Sequence, residues 1–149
     1  MKKYALIVMT IFLSNYVFAV DGYKDIKFGM KINQIRKLGV CKMSYSTPNI
    51  APCDKVAGEP RKFKLEFTPE EKELWYISID MGAYSDDYFE NITKSISKKY
   101  KKDFELTREQ VFRFNAGNKL AFFENAQIAL VQNDMNLSLI YTDSKFHFL

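Results

Sequence analysis

The sequence predicts an α+β domain: an antiparallel sheet, part hairpin and part meander, with two helices packed on one face. Three observations predict it. In residues 62–68, Phe63, Leu65 and Phe67 alternate strictly with Lys62, Lys64, Glu66 and Thr68, the period-two pattern of a strand with one buried and one wet face. Between Ser85 and Tyr100, apolar residues recur at spacings of three and four behind a capping serine, the pattern of an amphipathic helix. From Gln110 onward, short apolar runs alternate with turn residues, the pattern of a meander. Strand runs interleaved with only two helices place both helices on one side of an antiparallel sheet.

The elements follow in order. Met1-Lys2-Lys3 precedes an apolar run from Ala5 to Leu13, and Val17-Phe18-Ala19 places small residues at a peptidase-type site. Residues 1–19 are thus expected to be a cleavable bacterial-type signal peptide, cut between Ala19 and Val20. Ser14 and Asn15 interrupt the run before the ~20 apolar residues a membrane span requires. Residues 20–149 are expected to form one domain, periplasmic or secreted. Losing Lys2 and Lys3 lowers the formal net charge from +4 to +2, too small to argue for a polyanionic partner.

Asp25 to Phe28 alternates as a short strand, and Ile32, Ile35 and Leu38 form a stripe on a short helix that Gly39 stops. Gly39 to Arg61, with Pro48, Pro52, Gly58 and Pro60, reads as a long loop. Its cysteines, Cys41 and Cys53, are the only two in the chain, and an even count in an exported protein reads as one disulfide. A metal pair or reactive thiol pair fits less well. Two cysteines cannot complete a four-ligand zinc site, and their spacing is not Cys-x-x-Cys.

Thr68 to Lys72 turns the chain into a return strand, Leu74 to Met81, whose alternation places Trp75, Ile77, Ile79 and Met81 on the core face. Ser85, Asp86 and Asp87 open the main helix, Phe89, Ile92, Ile96 and Tyr100 supply its stripe, and Lys98, Lys99, Lys101 and Lys102 are expected in its last turn. The strands Val111–Phe114, Leu120–Phe123, Ile128–Val131 and Leu137–Tyr141 follow, with Phe146 and Phe148 as a possible edge. The order suggests a faint duplication of one α-β-β unit.

Asp25-Ile26-Lys27-Phe28-Gly29-Met30, followed by Ile32, Ile35 and Leu38-Gly39, resembles the opening of many small exported bacterial proteins. Among them are uncharacterised periplasmic proteins, outer-membrane assembly lipoproteins of the SmpA/OmlA type and the β-lactamase-inhibitor-protein fold. Lys99-Tyr100 and Leu139-Ile140-Tyr141 are similar to the uncharacterised group in particular. Lys31 stands where such openings carry a capping Ser or Thr, and no lipobox cysteine is present. The resemblance implies a binding or accessory role in the envelope and carries over no functional residue.

Catalytic chemistry needs an activated nucleophile, an acid/base pair or a metal. His147, the only histidine, lies between Phe146 and Phe148 and reads as a solvent-side residue, while Glu70, Glu71 and Glu73 read as a solvated turn. No phosphate-cradling glycine loop or Gly-x-Ser-x-Gly occurs, and no catalytic residue, metal or cofactor is expected. The lysines of 98–102 suit their own helix terminus or an anionic polymer or lipid. One Trp, nine Tyr and thirteen Phe make 15% of the chain, and such aromatic content suits a contact surface. Tyr45, Tyr76, Tyr84 and Tyr88 are the candidate contacts, set against a reading as tyrosines at the rim of the core. The functional expectation is an exported module that binds another envelope or secreted protein as an inhibitor, immunity-like or accessory protein, with no nucleic acid and no membrane insertion of the mature chain. The alternative is a small envelope hydrolase.

Overall fold

The computed structural model of the chain describes residues 20–43, 49–56, 61–106 and 119–146, all with side chains except 54–56, 104 and 106. It is an α+β structure with an antiparallel sheet. A two-residue ribbon, β1 (Gly22–Tyr23) with β2 (Ile26–Lys27), leads into α1 (Ile32–Leu38). The strands β3 (Cys41–Met43), β4 (Ile50–Val56), β5 (Phe63–Phe67) and β6 (Leu74–Ala83) come next. Helix α2 (Asp86–Ser97) then precedes β7 (Lys102–Leu106), β8 (Lys119–Phe123), β9 (Ile128–Asn133) and β10 (Asn136–Thr142). Eight strands form one sheet in the order β3-β4-β5-β6-β10-β9-β8-β7, every pair antiparallel.

That order is a duplication. Among the described residues each half is a helix followed by four strands, and the last strands of the two halves, β6 and β10, meet at the centre. The junction is reciprocal: Asp143 N–H, just past β10, donates to the Trp75 carbonyl at 2.9 Å, and Tyr84 N–H, just past β6, donates to the Met135 carbonyl at 2.7 Å. Among the described residues the repeated unit is thus α-β-β-β-β, where the sequence suggested α-β-β.

The missing strands lay in the expected loop. Residues 41–43 and 50–56 are β3 and β4, paired with each other and with β5. Their alternation is muted because the core-facing positions of β4 are the small residues Ala51 and Cys53, and Pro52 suggests a break. In the second half, α2 ends at Ser97, and Lys98 is its C-cap. The cluster Lys98, Lys99, Lys101 and Lys102 therefore follows the helix, with Lys102 opening β7. The expected strand Val111–Phe114, together with His147 and Phe148, lies outside the described residues.

Local signals place both helices. Gln34 Oε1 accepts the Lys31 N–H at 2.7 Å, closing the start of α1 where no serine or threonine does so. Gly39 takes the left-handed conformation, φ 68°, and returns its N–H to the Arg36 carbonyl at 3.1 Å. Only Ile35 of the α1 stripe is fully buried; Ile32 is half-buried and Leu38 is 43% exposed. In α2, Ser85 Oγ accepts the Tyr88 N–H at 3.2 Å, Asp86 and Asp87 occupy the first turn, and Phe89 and Ile96 are buried. Ile92 and Tyr100 are half-buried against them.

One apolar layer joins helices and sheet. Phe63, Ile79, Leu139, Leu130 and Ala121 are consecutive cross-strand partners from β5 to β8, all on the helix side. They pack in the same cluster as Ile35, Phe89 and Ile96. Among the described residues, no helix packs on the opposite face of the sheet.

Candidate interaction face

The helix-free face is built by the residues that alternate with the core. Pro52, Lys64, Ser78, Ile140, Ala129 and Phe122 form one cross-strand row from β4 to β8, and Ile50, Glu66, Tyr76 and Thr142 form the next. The face is graded in polarity. Over β4–β6 it carries Lys64, Glu66, Ser78 and Asp80, beside a shallow groove of about 530 Å³. Over β8–β10 it carries a second apolar cluster, in which Leu120, Phe122 and Ala129 are buried and Val131 and Ile140 pack against them.

A β-bulge changes what β6 presents. Leu65 pairs with Ile77 and Glu66 with Tyr76, but Phe67 pairs with Leu74, skipping Trp75. Leu74 and Ile77 are both buried in the core, so the two residues between them leave it together. Trp75, expected in the core from strict alternation, is instead half-buried beside Tyr76, with ring centroids 5.4 Å apart. A bulge of this kind re-aims side chains by inserting one extra residue. The chain opening helps to set it: Leu74 donates to the Met30 carbonyl at 2.9 Å and accepts from Gly29 N–H at 2.8 Å. Gly29, at φ 83°, holds a conformation that side chains rarely adopt.

Phe146 completes the aromatic group, 5.1 Å from Trp75 and 39% exposed. On the other flank, Lys64 lies over the Tyr76 ring at 5.4 Å and pairs with Glu66 at 2.8 Å. The hydrogen bond it donates to Glu66 holds the Lys64 ammonium above its ordinary pKa. Burial raises the Tyr76 phenol, partly offset by Lys64 and by a hydrogen bond with Ser78. Beyond Trp75 the face falls into a cleft of about 390 Å³, between the turn at 68–73 and the segment at 143–146.

The other tyrosines stand elsewhere. Tyr84 and Tyr88 sit at the corner between β6 and α2 and pack against the core. Tyr88 donates its hydroxyl to the Met81 carbonyl at 3.1 Å, and Tyr84 packs edge-on to Phe89 and donates to Asp86. Tyr76 is thus separate from this pair, and Tyr45 lies outside the described residues. Burial and the Asp86 carboxylate push the Tyr84 phenol up to about 12. An unfolded tyrosine ionises near pH 10, so the Tyr84 contribution to stability is complete below ~pH 10 and is lost as pH rises through ~12. Denaturant melts of the wild type and Tyr84→Phe, compared across that window, should show the wild type losing more stability. Parallel losses would refute the shift.

Cys41 and Cys53 form a disulfide, with Cα atoms 5.5 Å apart across the β3–β4 pair. Ala19 lies outside the described residues, whereas Val20 is buried and donates its N–H to Gln127 Oε1 at 3.4 Å. Gln127 stands between the apolar runs Leu120–Phe123 and Ile128–Val131. It is buried and also donates to the carbonyls of Val20 and Thr142, both at 3.5 Å. Only its place between two apolar runs hinted at this. Among the described residues no cluster of His, Cys, Asp and Glu is placed to hold a metal ion, and no helix is long and apolar enough to cross a membrane.

The chain belongs to a protein family described as "Uncharacterised protein", whose family model matches residues 23–148. No curated protein and no solved structure matches it.

Proposed function

We propose that the protein is an exported binding module that docks another envelope or secreted protein on the helix-free face of its sheet, centred on Trp75 and Tyr76. Its role is inhibitory, immunity-like or accessory to envelope assembly. One observation carries this reading: the bulge in β6 delivers two adjacent aromatic side chains to a face that neither helix covers. Large, rigid aromatic rings beside charged neighbours are the composition in which binding energy concentrates. The disulfide and the signal-like N-terminus support an oxidising compartment. The resemblance of the opening strand, turn and helix to small envelope accessory proteins supports the same role.

The test uses a photo-crosslinking residue at position 76, on the open face, and at position 91, where Asn91 is exposed on α2. One discrete partner should crosslink from position 76 and not from 91. Trp75→Ala should weaken that complex by at least tenfold, about 1.4 kcal/mol or more. Equal capture from both positions, or a complex indifferent to Trp75→Ala, would refute this face as the docking site.

A second reading has an observation of its own. Glu70, Glu71, Glu73 and Asp143 line one cleft, and a hydrolase of the glycosidase kind uses two carboxylates. Such an acid needs a water-excluding environment to stay protonated at neutral pH, whereas Glu70 and Glu71 are exposed on a turn. The binding reading is therefore preferred. A single Glu→Gln change in the cleft that abolished function, with folding and partner binding intact, would reverse that preference.

A further inference from the structure

We propose that the cleft at the Trp75 end of the open face receives an arginine or lysine side chain of the partner; this rests on the docking face proposed above and names the chemistry it recognises. The cleft has an aromatic wall, Trp75 with Phe146, and a carboxylate rim, Glu70, Glu71, Glu73 and Asp143. Lys145 is the one cation lining it among the described residues. Lys72, in the midst of the three glutamates, reaches away to Asn49 Oδ1 at 2.8 Å and leaves their charge in place. Among the described residues none of the four carboxylates makes an ion pair. The cleft is thus a locally negative site on a chain whose formal net charge is +4, so attraction for a cation there comes from the site and not from the whole molecule.

The two features select the same ligand. Carboxylates attract a cation and accept its N–H groups, and an indole face binds a guanidinium or ammonium through its quadrupole. A neutral apolar side chain would use the aromatic wall alone and leave the rim unpaired. An acidic side chain would be repelled. A basic side chain laid on Trp75 satisfies both, and the polypeptide that bears it would run on across Tyr76 onto the rest of the face.

Trp75 is the only tryptophan in the chain, so its fluorescence reports the cleft directly. The mature protein is titrated with tetra-arginine and with tetra-glutamate at low and high salt. Tetra-arginine should give a saturable change in Trp75 emission and tetra-glutamate none. Glu70→Gln/Glu71→Gln/Glu73→Gln, or raising salt to about 0.5 M, should weaken the tetra-arginine midpoint by about tenfold or more. Thermal melts should confirm that the triple variant is folded. No saturable change up to about 5 mM peptide, an equal response to tetra-glutamate, or undiminished binding by the triple variant would each overturn the proposal. The crosslinked partner separates this outcome from the docking reading. If it still binds the triple variant at full strength but fails with Trp75→Ala, the face stands and the cationic cleft falls.

Discussion

Leu65→Ala should be among the most damaging single changes in the protein, lowering unfolding free energy by about 2–5 kcal/mol. Leu65 is fully buried at the middle of β5, with Ala51 of β4 on one side and Ile77 of β6 on the other. Removing its isobutyl group forfeits the transfer free energy of the missing carbons. It also leaves a cavity that the small Ala51 cannot fill and that the paired backbones on both flanks cannot collapse into. Domains of this size are stable by about 5–15 kcal/mol, so the midpoint of a urea melt should fall sharply with little change in slope. Its neighbour provides the control. Lys64→Ala, on the opposite face, should change stability by no more than about 0.5 kcal/mol, because it removes only a surface ion pair with Glu66 and an ammonium lying over the Tyr76 ring. Comparable losses from the two variants would mean that the register of β5 is wrong. The same logic lowers the expectation for Ile92→Ala, since Ile92 is half-buried.

Removing both cysteines, Cys41→Ala/Cys53→Ala, should cost a further amount of the same order, about 2–5 kcal/mol. The bond joins cysteines 12 positions apart in sequence, for which the loss of chain entropy in the unfolded state predicts about 3 kcal/mol. Its position enlarges the structural consequence. Among the described residues β3 is the outermost strand of its half and pairs only with β4, over three residues, so the disulfide anchors an edge that its own ladder holds weakly. Cys53 is also buried in the main core, at 1% exposure. Reductant should therefore destabilise the wild type toward the level of the double variant and leave the double variant unaffected. A wild type indifferent to reductant would show that the bond contributes nothing.

Much of the local structure is legible in the order of residues alone. Strict alternation in 63–67, the Ser85 cap with its acidic first turn and Gly39 as a helix stop are local signals, decided by side-chain period and backbone conformation, and each stands where it was read. The cysteine pairing followed from arithmetic, as two cysteines allow one intramolecular bond. Tertiary structure decided the rest. The strands β3 and β4 were invisible because Ala51 and Cys53 bury little area per residue, so their pattern is weak until β5 pairs with them. The α2 terminus stopped short of the lysines because the chain must turn into β7. The candidate site depended on the same kind of non-local event. Tyr76 was legible as a residue of the non-core face, but Trp75 joins it only because Leu74 is drawn to Gly29 and Met30, more than 40 residues earlier, and alternation breaks there. Periodicity along a chain reports which face a residue prefers. Where a bulge falls, and so which aromatic rings reach solvent together, is settled by hydrogen bonds between segments that the sequence does not place side by side.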